Sequence, residues 1–346
     1  MAASDNEIVA PTDNVPVAPK NDYYTVRALP GKGYGCIALQ HIPRGTRILT
    51  DTPLLSVPAA VYMGSDIEHA FGPLSPEQKG LYLALHSGHG QATSAWPSTM
   101  HASVPTHERQ RISEQHAART GPHATLLSLF QTNCMEMGHG AAVFAHASRF
   151  NHACNPNACF SWNGAIGRET IHAMRDIGPG EEITLSYCDG QHDKRRRAWE
   201  LLHYGFVCAC PACGDEDDES SFAFESAERR VQIQELDRET RLLRGARLAE
   251  GVKQEGFVSK LLKIAVLLQE EGCWDARLAG VFLDIALVCE LSGDFKMGVL
   301  AGEKALQIKR DSQGIDFPDF KRYAEAVERI KASRRREMGS ANDWKV

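Results

Sequence analysis

The sequence contains no apolar run approaching the about 20 residues that a membrane-spanning helix needs, so no membrane span is expected in its 346 residues. Its opening stretch has neither the charged start nor the apolar core of a secretory signal, and residues 1–20 are read as a disordered leader. A basic excess is missing too. Lys and Arg total 38 against 44 Asp and Glu, a formal net charge of -6. Phosphate-rich partners select the opposite sign, so no direct nucleic-acid binding is expected. Without a secretory signal, the 10 cysteines imply a reducing compartment, where clustered thiols serve metal or catalysis rather than disulfides. An intracellular protein of the nucleus and/or cytoplasm follows as the expectation.

What is present reads as α+β. Tyr23 to Leu29, Gly35 to Leu39 and Thr46 to Val57 are rich in aromatic and β-branched residues, separated by Pro30-Gly31 and Pro43-Arg44-Gly45, and predict strands. From about 58 to 130 the character changes to an inserted region. Ser75 and Pro76 open a helix carrying Gln78, Leu81, Tyr82 and Leu85, and a long loop follows with a helical piece near 106–118. Strand character returns as Ala158 to Trp162 and Ala165 to Ala173, flanking Asn163-Gly164, a two-residue hairpin signal, and then as Ile183 to Tyr187. A helix is expected from Asp193 to His203. The acidic run Asp215 to Glu219 marks a linker at 215–225. Beyond it, apolar faces repeat at helical spacing: Leu261, Leu262, Ile264, Ala265 and Leu268, then Ala279, Phe282, Leu283, Ala286 and Leu287, then Val299, Leu300, Ala305 and Ile308. Residues 226–346 therefore predict an all-α, tetratricopeptide-like array, a surface for protein partners.

Two clusters carry chemistry. Cys208, Cys210 and Cys213 place three thiolates within six residues, enough to wrap one face of a tetrahedral Zn2+. Spacing alone does not choose the fourth ligand, and no histidine follows at finger spacing. Cys36, Cys134, Cys159, Cys188, Cys273 and Cys289 sit singly and read as small buried hydrophobes. The second cluster, Asn151-His152-Ala153-Cys154-Asn155-Pro156-Asn157, is too rich in amides and proline for a helix or central strand; it either turns the chain or presents hydrogen bonds to a polar ligand. Lys194 to Arg197 reads either as a nuclear-localisation patch or as a solvated helix face.

Arg149 to Asn157, then Gly180-Glu181-Glu182-Ile183-Thr184-Leu185-Ser186-Tyr187, then Cys-x-Cys-x-x-Cys, resemble in order and spacing the signature segments of SET-domain lysine methyltransferases. Gly31 to Ala38 resembles that family's N-terminal glycine motif. The resemblance spans about residues 23–214, with the helical tail most like the SMYD-type branch. It implies a SET domain at 21–190 made of small sheets with pseudoknot-like threading, an insert at about 58–130, and a post-SET zinc segment at 191–214. It also implies S-adenosylmethionine as cofactor, structural zinc, and a protein substrate presenting a lysine. By position, Lys32, Gly33 and Tyr34 would lie in the glycine turn at the methionyl end of the cofactor. Asn151 and His152 would bind it directly, Ser148, Arg149 and Asn133 would add contacts, and Phe206 would cover the adenine. Cys154 would complete the zinc set.

The same resemblance makes Tyr187 the principal catalytic residue, also facing the cofactor, and Tyr204 a second channel tyrosine. A neutral lysine amine is the required nucleophile, and a narrow, dry tyrosine-lined channel disfavours its charged form. Two departures stand out. Ala153 replaces a common serine, and residues 51–133 hold no cysteine, so the MYND finger usual in SMYD-type proteins is absent. The rival reading is a catalytically silent scaffold that binds partners through the helices. Tyr187, Asn151 and the glycine turn favour the enzyme, because a scaffold needs none of them.

Overall fold

The computed structural model describes residues 19–97, 99–100, 103–241 and 256–342; the expected leader, up to residue 18, lies outside the described residues. Three small sheets form the first half. β1 (Tyr24–Leu29) and β2 (Gly33–Ala38) make a hairpin, and β10 (Glu182–Leu185) lies between β2 and the two-residue β7 (Asn151–His152), giving the order β1-β2-β10-β7. β7 and β10 run parallel, with Thr184 opposite Asn151 and Leu185 opposite His152. Two segments thirty residues apart thus lie side by side, as the resemblance implies. The Asn157 side chain clamps them: its Nδ2 donates to the Glu182 carbonyl (2.8 Å), and its Oδ1 accepts from the Thr184 N–H (2.8 Å).

The stretch expected as one strand from Thr46 to Val57 is two. β3 (Arg47–Asp51) joins β9 (Arg168–Ala173) and β8 (Ala158–Asn163), whereas β4 (Pro53–Val57) joins β6 (Gly140–Phe144) and β5 (Cys134–Met137). Pro53 has no N–H for a ladder. Asp51 accepts bonds from the N–H groups of Thr52, His146 and Ala147, each at 2.9 Å, which turns the chain from one sheet to the next. The hairpin turn also differs from expectation. Asn163 pairs with Arg168 across a four-residue loop, the Asn163 Oδ1 accepts from the Ala165 N–H (3.1 Å), and Gly167 at φ +63° takes the left-handed position. Asn163 therefore supplies a local side-chain turn rather than a two-residue corner.

The insert is helical at Gly64–Phe71, Pro76–Leu83, Thr106–Thr120 and Leu126–Asn133. Ser75 and Gln78 form a reciprocal capping box at the second of these. Tyr62, Ile67, Tyr82 and Phe130 pack against Leu55 and Val143 of β4 and β6. Leu81 points outward, while Tyr82 and Leu85 are buried.

Beyond the acidic run come helices Phe222–Arg241, Phe257–Glu270, Ala276–Ser292, Phe295–Gln313 and Phe320–Asn342. Leu261, Ile264, Leu283, Ala305 and Ile308 share one core with Ile330. Leu300, expected in that face, is more than half exposed, because it follows Val299 by one residue and so lies about 100° farther round the helix. The array docks onto the second sheet. Arg44 stacks over the Trp274 ring (3.9 Å) and pairs with Asp311 (3.0 Å), Arg47 pairs with Asp316, and Gln313 Nε2 donates to Ser161 Oγ (2.9 Å).

Glu169 lies fully buried on β9, directly across from Asp51. Burial, and then the Asp51 charge, push its carboxyl up to about 8. Between the ordinary value of 4.5 and about 8, the folded chain holds a proton that the unfolded chain releases, so this group's contribution to stability is full below the lower value and declines as pH rises to the upper one. Glu169→Gln is expected to flatten that decline. Urea titrations from pH 5 to 8 check it, and an unchanged slope would contradict the assignment.

Candidate active site and metal centre

The β1–β2 turn begins the site. Gly31 and Gly33 hold φ of +71° and +70°, which side chains with a Cβ rarely adopt. Gly35 is constrained by space instead: a Cβ there would stand 2.6 Å from Asn151 Nδ2 and 2.9 Å from Glu182 Oε1. That close approach lets the Glu182 carboxylate accept from Asn151 Nδ2 (2.9 Å) and from Lys32 Nζ (2.7 Å). The glycine turn, β7 and β10 therefore converge on one carboxylate. Glu182 had no assigned role among the site residues expected from sequence, although it stands in the signature segment.

Next to Asn151 is an aromatic group. The Tyr187 ring lies 4.8 Å from Tyr204 and 5.3 Å from His152, with Phe206 6.0 Å from His152 and 6.4 Å from Tyr187. Backbone bonding sets the ring positions: the Tyr187 N–H donates to His152 Nδ1 (2.9 Å), and the Tyr187 hydroxyl donates to the Phe150 carbonyl (2.5 Å). Burial holds the phenols of Tyr187 and Tyr204 well above their ordinary pKa, so both stay protonated near neutral pH. Both line a cavity of about 560 Å³ with Arg119, Gln131, Phe160 and Glu200. Arg119 and Gln131 come from the insert. At the same wall His203 is pushed down to about 4 by burial and by Arg119, and so is neutral. Trp96, also from the insert, packs on His203 (5.0 Å) and Trp199 (6.0 Å).

Asn133, Ser148 and Arg149 brace this region. Asn133 Nδ2 donates to the carbonyls of His86 and Leu129 (both 2.7 Å), Ser148 Oγ donates to the Asn133 carbonyl (3.2 Å), and Arg149 donates to the Ala84 carbonyl (3.3 Å). Tyr34 is exposed on β2.

The thiols of Cys154, Cys208, Cys210 and Cys213 all lie within 4.8 Å of one another. Cys154 Sγ is 3.5 Å from Cys213 Sγ and 4.0 Å from Cys208 Sγ. A tetrahedral ion with metal–sulfur bonds of about 2.3 Å has sulfur–sulfur edges of about 3.8 Å, so the donor set fits such an ion. The backbone already serves it, with the Cys154 N–H donating to Cys210 Sγ (3.3 Å). Arg197, expected on a basic surface, is buried. It donates to the carbonyls of His192 (2.6 Å) and Ala212 (2.8 Å) and to Cys213 Sγ (3.8 Å), which removes it from a solvated patch. Cys188 is also not the isolated apolar thiol expected: it lies within 4.8 Å of both His152 and Cys154 and lines the cavity. Its proximity arises from the β7–β10 pairing, which leaves no sequence signal.

The helical region reaches this centre through Arg230, which is buried. Arg230 donates to the Cys154 carbonyl (2.9 Å), to Glu271 (2.6 Å) and to Ser226 Oγ (3.0 Å), while Arg229 pairs with the same Glu271 (2.8 Å).

The family model described as SET domain matches residues 33–188. The chain is 28% identical over 311 residues to a protein named histone-lysine N-methyltransferase set5 from Schizosaccharomyces pombe, covering 89% of this chain and 85% of that protein. It is 29% identical over 155 residues to protein-lysine N-trimethyltransferase SMYD5 of Danio rerio, covering 41% of this chain and 35% of the other. With N-lysine methyltransferase SMYD2 of Rattus norvegicus it shares 31% over 109 residues, 29% of this chain and 25% of that one.

Arg230→Ala leaves the Cys154 carbonyl without its donor and strips one partner from buried Glu271. A loss of about 3 kcal/mol is expected, the low end for a broken buried pair because Arg229 still reaches the carboxylate. Chemical denaturation measures it, and a change below about 1 kcal/mol would show that the network contributes little.

Proposed function

We propose, from the SET-domain match of the segment Gly33 to Cys188, that this chain transfers a methyl group from S-adenosylmethionine to the side-chain amine of a lysine in a histone or another protein. The observation that carries the reading is the Tyr187 hydroxyl, anchored on the Phe150 carbonyl in a cavity that Tyr204 also lines, with the Tyr187 N–H bonded to His152 Nδ1 just beyond the β7–β10 pairing.

When bound, S-adenosylmethionine supplies an electrophilic methyl on a cationic sulfur. Lys32, Gly33 and Asn151 would hold its amino-acid end, with Tyr34, Ser148, Arg149 and Asn133 around them, and His152 and Phe206 would flank the adenosine. Tyr187 and Tyr204 perform the chain's part in the transfer. A lysine amine in water holds its proton up to a pKa of about 10.4. Burial between the two rings favours the neutral amine, whose lone pair is then aimed by the phenolic oxygens. The Tyr187 phenol stays protonated, so it acts as a fixed dipole beside the Phe150 carbonyl and not as a tyrosinate base. The Tyr187 and Tyr204 oxygens would serve as acceptors of weak C–H···O contacts from a methyl group whose hydrogens become more positive during transfer.

A protein substrate suits the wider surface. A second cavity of about 210 Å³ shares Phe160 and Ser186 with the first and is bordered by Asp275, Arg277 and Gln313 at the helical region. Chain flanking the target lysine would run into it. Cys154, Cys208, Cys210 and Cys213 would hold one structural zinc, stapling the Asn151–His152 segment to the flap that carries Tyr204 and Phe206. The helical array remains available for further protein partners. No described helix is long and apolar enough to cross a membrane.

Purified protein is expected to bind S-adenosylhomocysteine and to transfer radioactive methyl groups to lysine in protein from a cell lysate. Cofactor binding without any label transfer would favour the silent scaffold. Tyr187→Phe should keep cofactor binding and lower turnover roughly 100-fold, the scale for removing one preorganised hydroxyl; unchanged turnover would take Tyr187 out of the reaction. Elemental analysis should find about one zinc per chain, lost in Cys210→Ser, and full zinc in that variant would reject the ligand set.

A further inference from the structure

Glu182 does more than join two strands. Its two oxygens are divided between a cation and an amide: Oε2 accepts from Lys32 Nζ at 2.7 Å and Oε1 from Asn151 Nδ2 at 2.9 Å. The carboxylate is mostly covered, with its side chain 18% exposed, while Lys32 is 52% exposed. An amide whose nitrogen is committed to a carboxylate has one orientation, with its Oδ1 directed away from that carboxylate. Asn151 is thereby set as an acceptor, beside a negative oxygen, and Lys32 stands as a positive donor across the same few ångströms. The glycine turn keeps side chains out of that space, since a Cβ on Gly35 would meet both Asn151 and Glu182.

An acceptor–anion pair beside a lysine is complementary to a zwitterion, and the amino-acid end of S-adenosylmethionine is one. Resting on the cofactor reading above, we infer that Glu182 is the residue that selects the α-ammonium of the cofactor, directly through its carboxylate and by holding Asn151 Oδ1 toward the ammonium, while Lys32 receives the α-carboxylate. The ion pair between Lys32 and Glu182 stands in for the ligand's own charges in the free protein and opens to admit them. Glu182 therefore sets cofactor affinity through the amino-acid end alone, with no part in recognising the adenosine.

Three ligands separate these assignments: S-adenosylhomocysteine, its decarboxylated analogue that keeps the amine, and 5′-methylthioadenosine, which has neither charged group. Isothermal titration of the full chain is the measurement. Glu182→Gln is expected to weaken both amine-bearing ligands by about 10- to 100-fold, the range for a charge-assisted hydrogen bond, and to leave methylthioadenosine within about twofold. Lys32→Met, at an exposed side chain and so safe for folding, is expected to weaken only S-adenosylhomocysteine. Equal loss of all three ligands in Glu182→Gln would mean a merely structural role, and no loss of any would mean none; either overturns the inference. Should Glu182→Gln fail to fold, Lys32→Met decides: loss of the decarboxylated analogue as well would overturn the division of charges. Wild-type protein that binds none of the three would instead refute the cofactor reading itself.

Discussion

One residue, Cys154, holds three parts of the molecule at a single point. Its thiol belongs to the four-cysteine centre, its N–H donates to Cys210 Sγ, and its carbonyl accepts from Arg230 of the helical region. The segment carrying Asn151 and His152, the flap carrying Tyr204 and Phe206, and the first helix of the tail therefore share one anchor. Thiolates crowded this closely repel unless a cation or protons compensate them. A bound metal would relieve that repulsion and, with it, stiffen all three elements. Arg197, buried against Cys213 and the Ala212 carbonyl, adds a fixed positive charge on the flap side.

From this anchor the site is built by backbone pairing more than by side-chain reach. β10 between β2 and β7 brings Tyr187 beside His152 and Glu182 beside Asn151. The short β7 ladder would be weak alone. Asn157 compensates by bonding both the Glu182 carbonyl and the Thr184 N–H, so the amide-rich segment serves partly as an internal clamp and partly as a ligand-facing surface. Burial does the electrostatic work. It keeps the phenols of Tyr187 and Tyr204 protonated and His203 neutral, so these three rings present fixed dipoles to a cavity whose charges come from Arg119, Asp189 and Glu200.

The insert and the helical tail contribute position rather than recognisable motif. Arg119 and Gln131 reach the cavity from the insert, and Trp96 lies against Trp199 and His203. Asp275, Arg277 and Gln313 edge the second cavity from the tail. A polypeptide lying across both cavities would touch three regions of the chain.

Local chemistry was enough to read much of this. Proline at Pro76 after Ser75, the helical periodicity of the tail and the three closely spaced cysteines act within a few residues of themselves, and their physics does not depend on distant contacts; the signature segments were legible through the family resemblance. Reading failed where a long-range contact decides. The break at Thr52–Pro53 depends on Asp51 meeting the backbone at His146 and Ala147. Arg197 is a buried strut because the cysteine flap folds over it, and Cys188 meets Cys154 because parallel β7 and β10 place them together. Spacing likewise could not choose Cys154 over any other cysteine as fourth partner of the cluster, and only the resemblance named it before the fold brought the thiols together. Residue types and their local spacing identified most of the elements and many of the residues able to do chemistry. Tertiary structure decided which of them meet, because a hydrogen bond or metal–thiolate contact forms only within a few ångströms, and that distance is set by the threading of strands far apart in the chain.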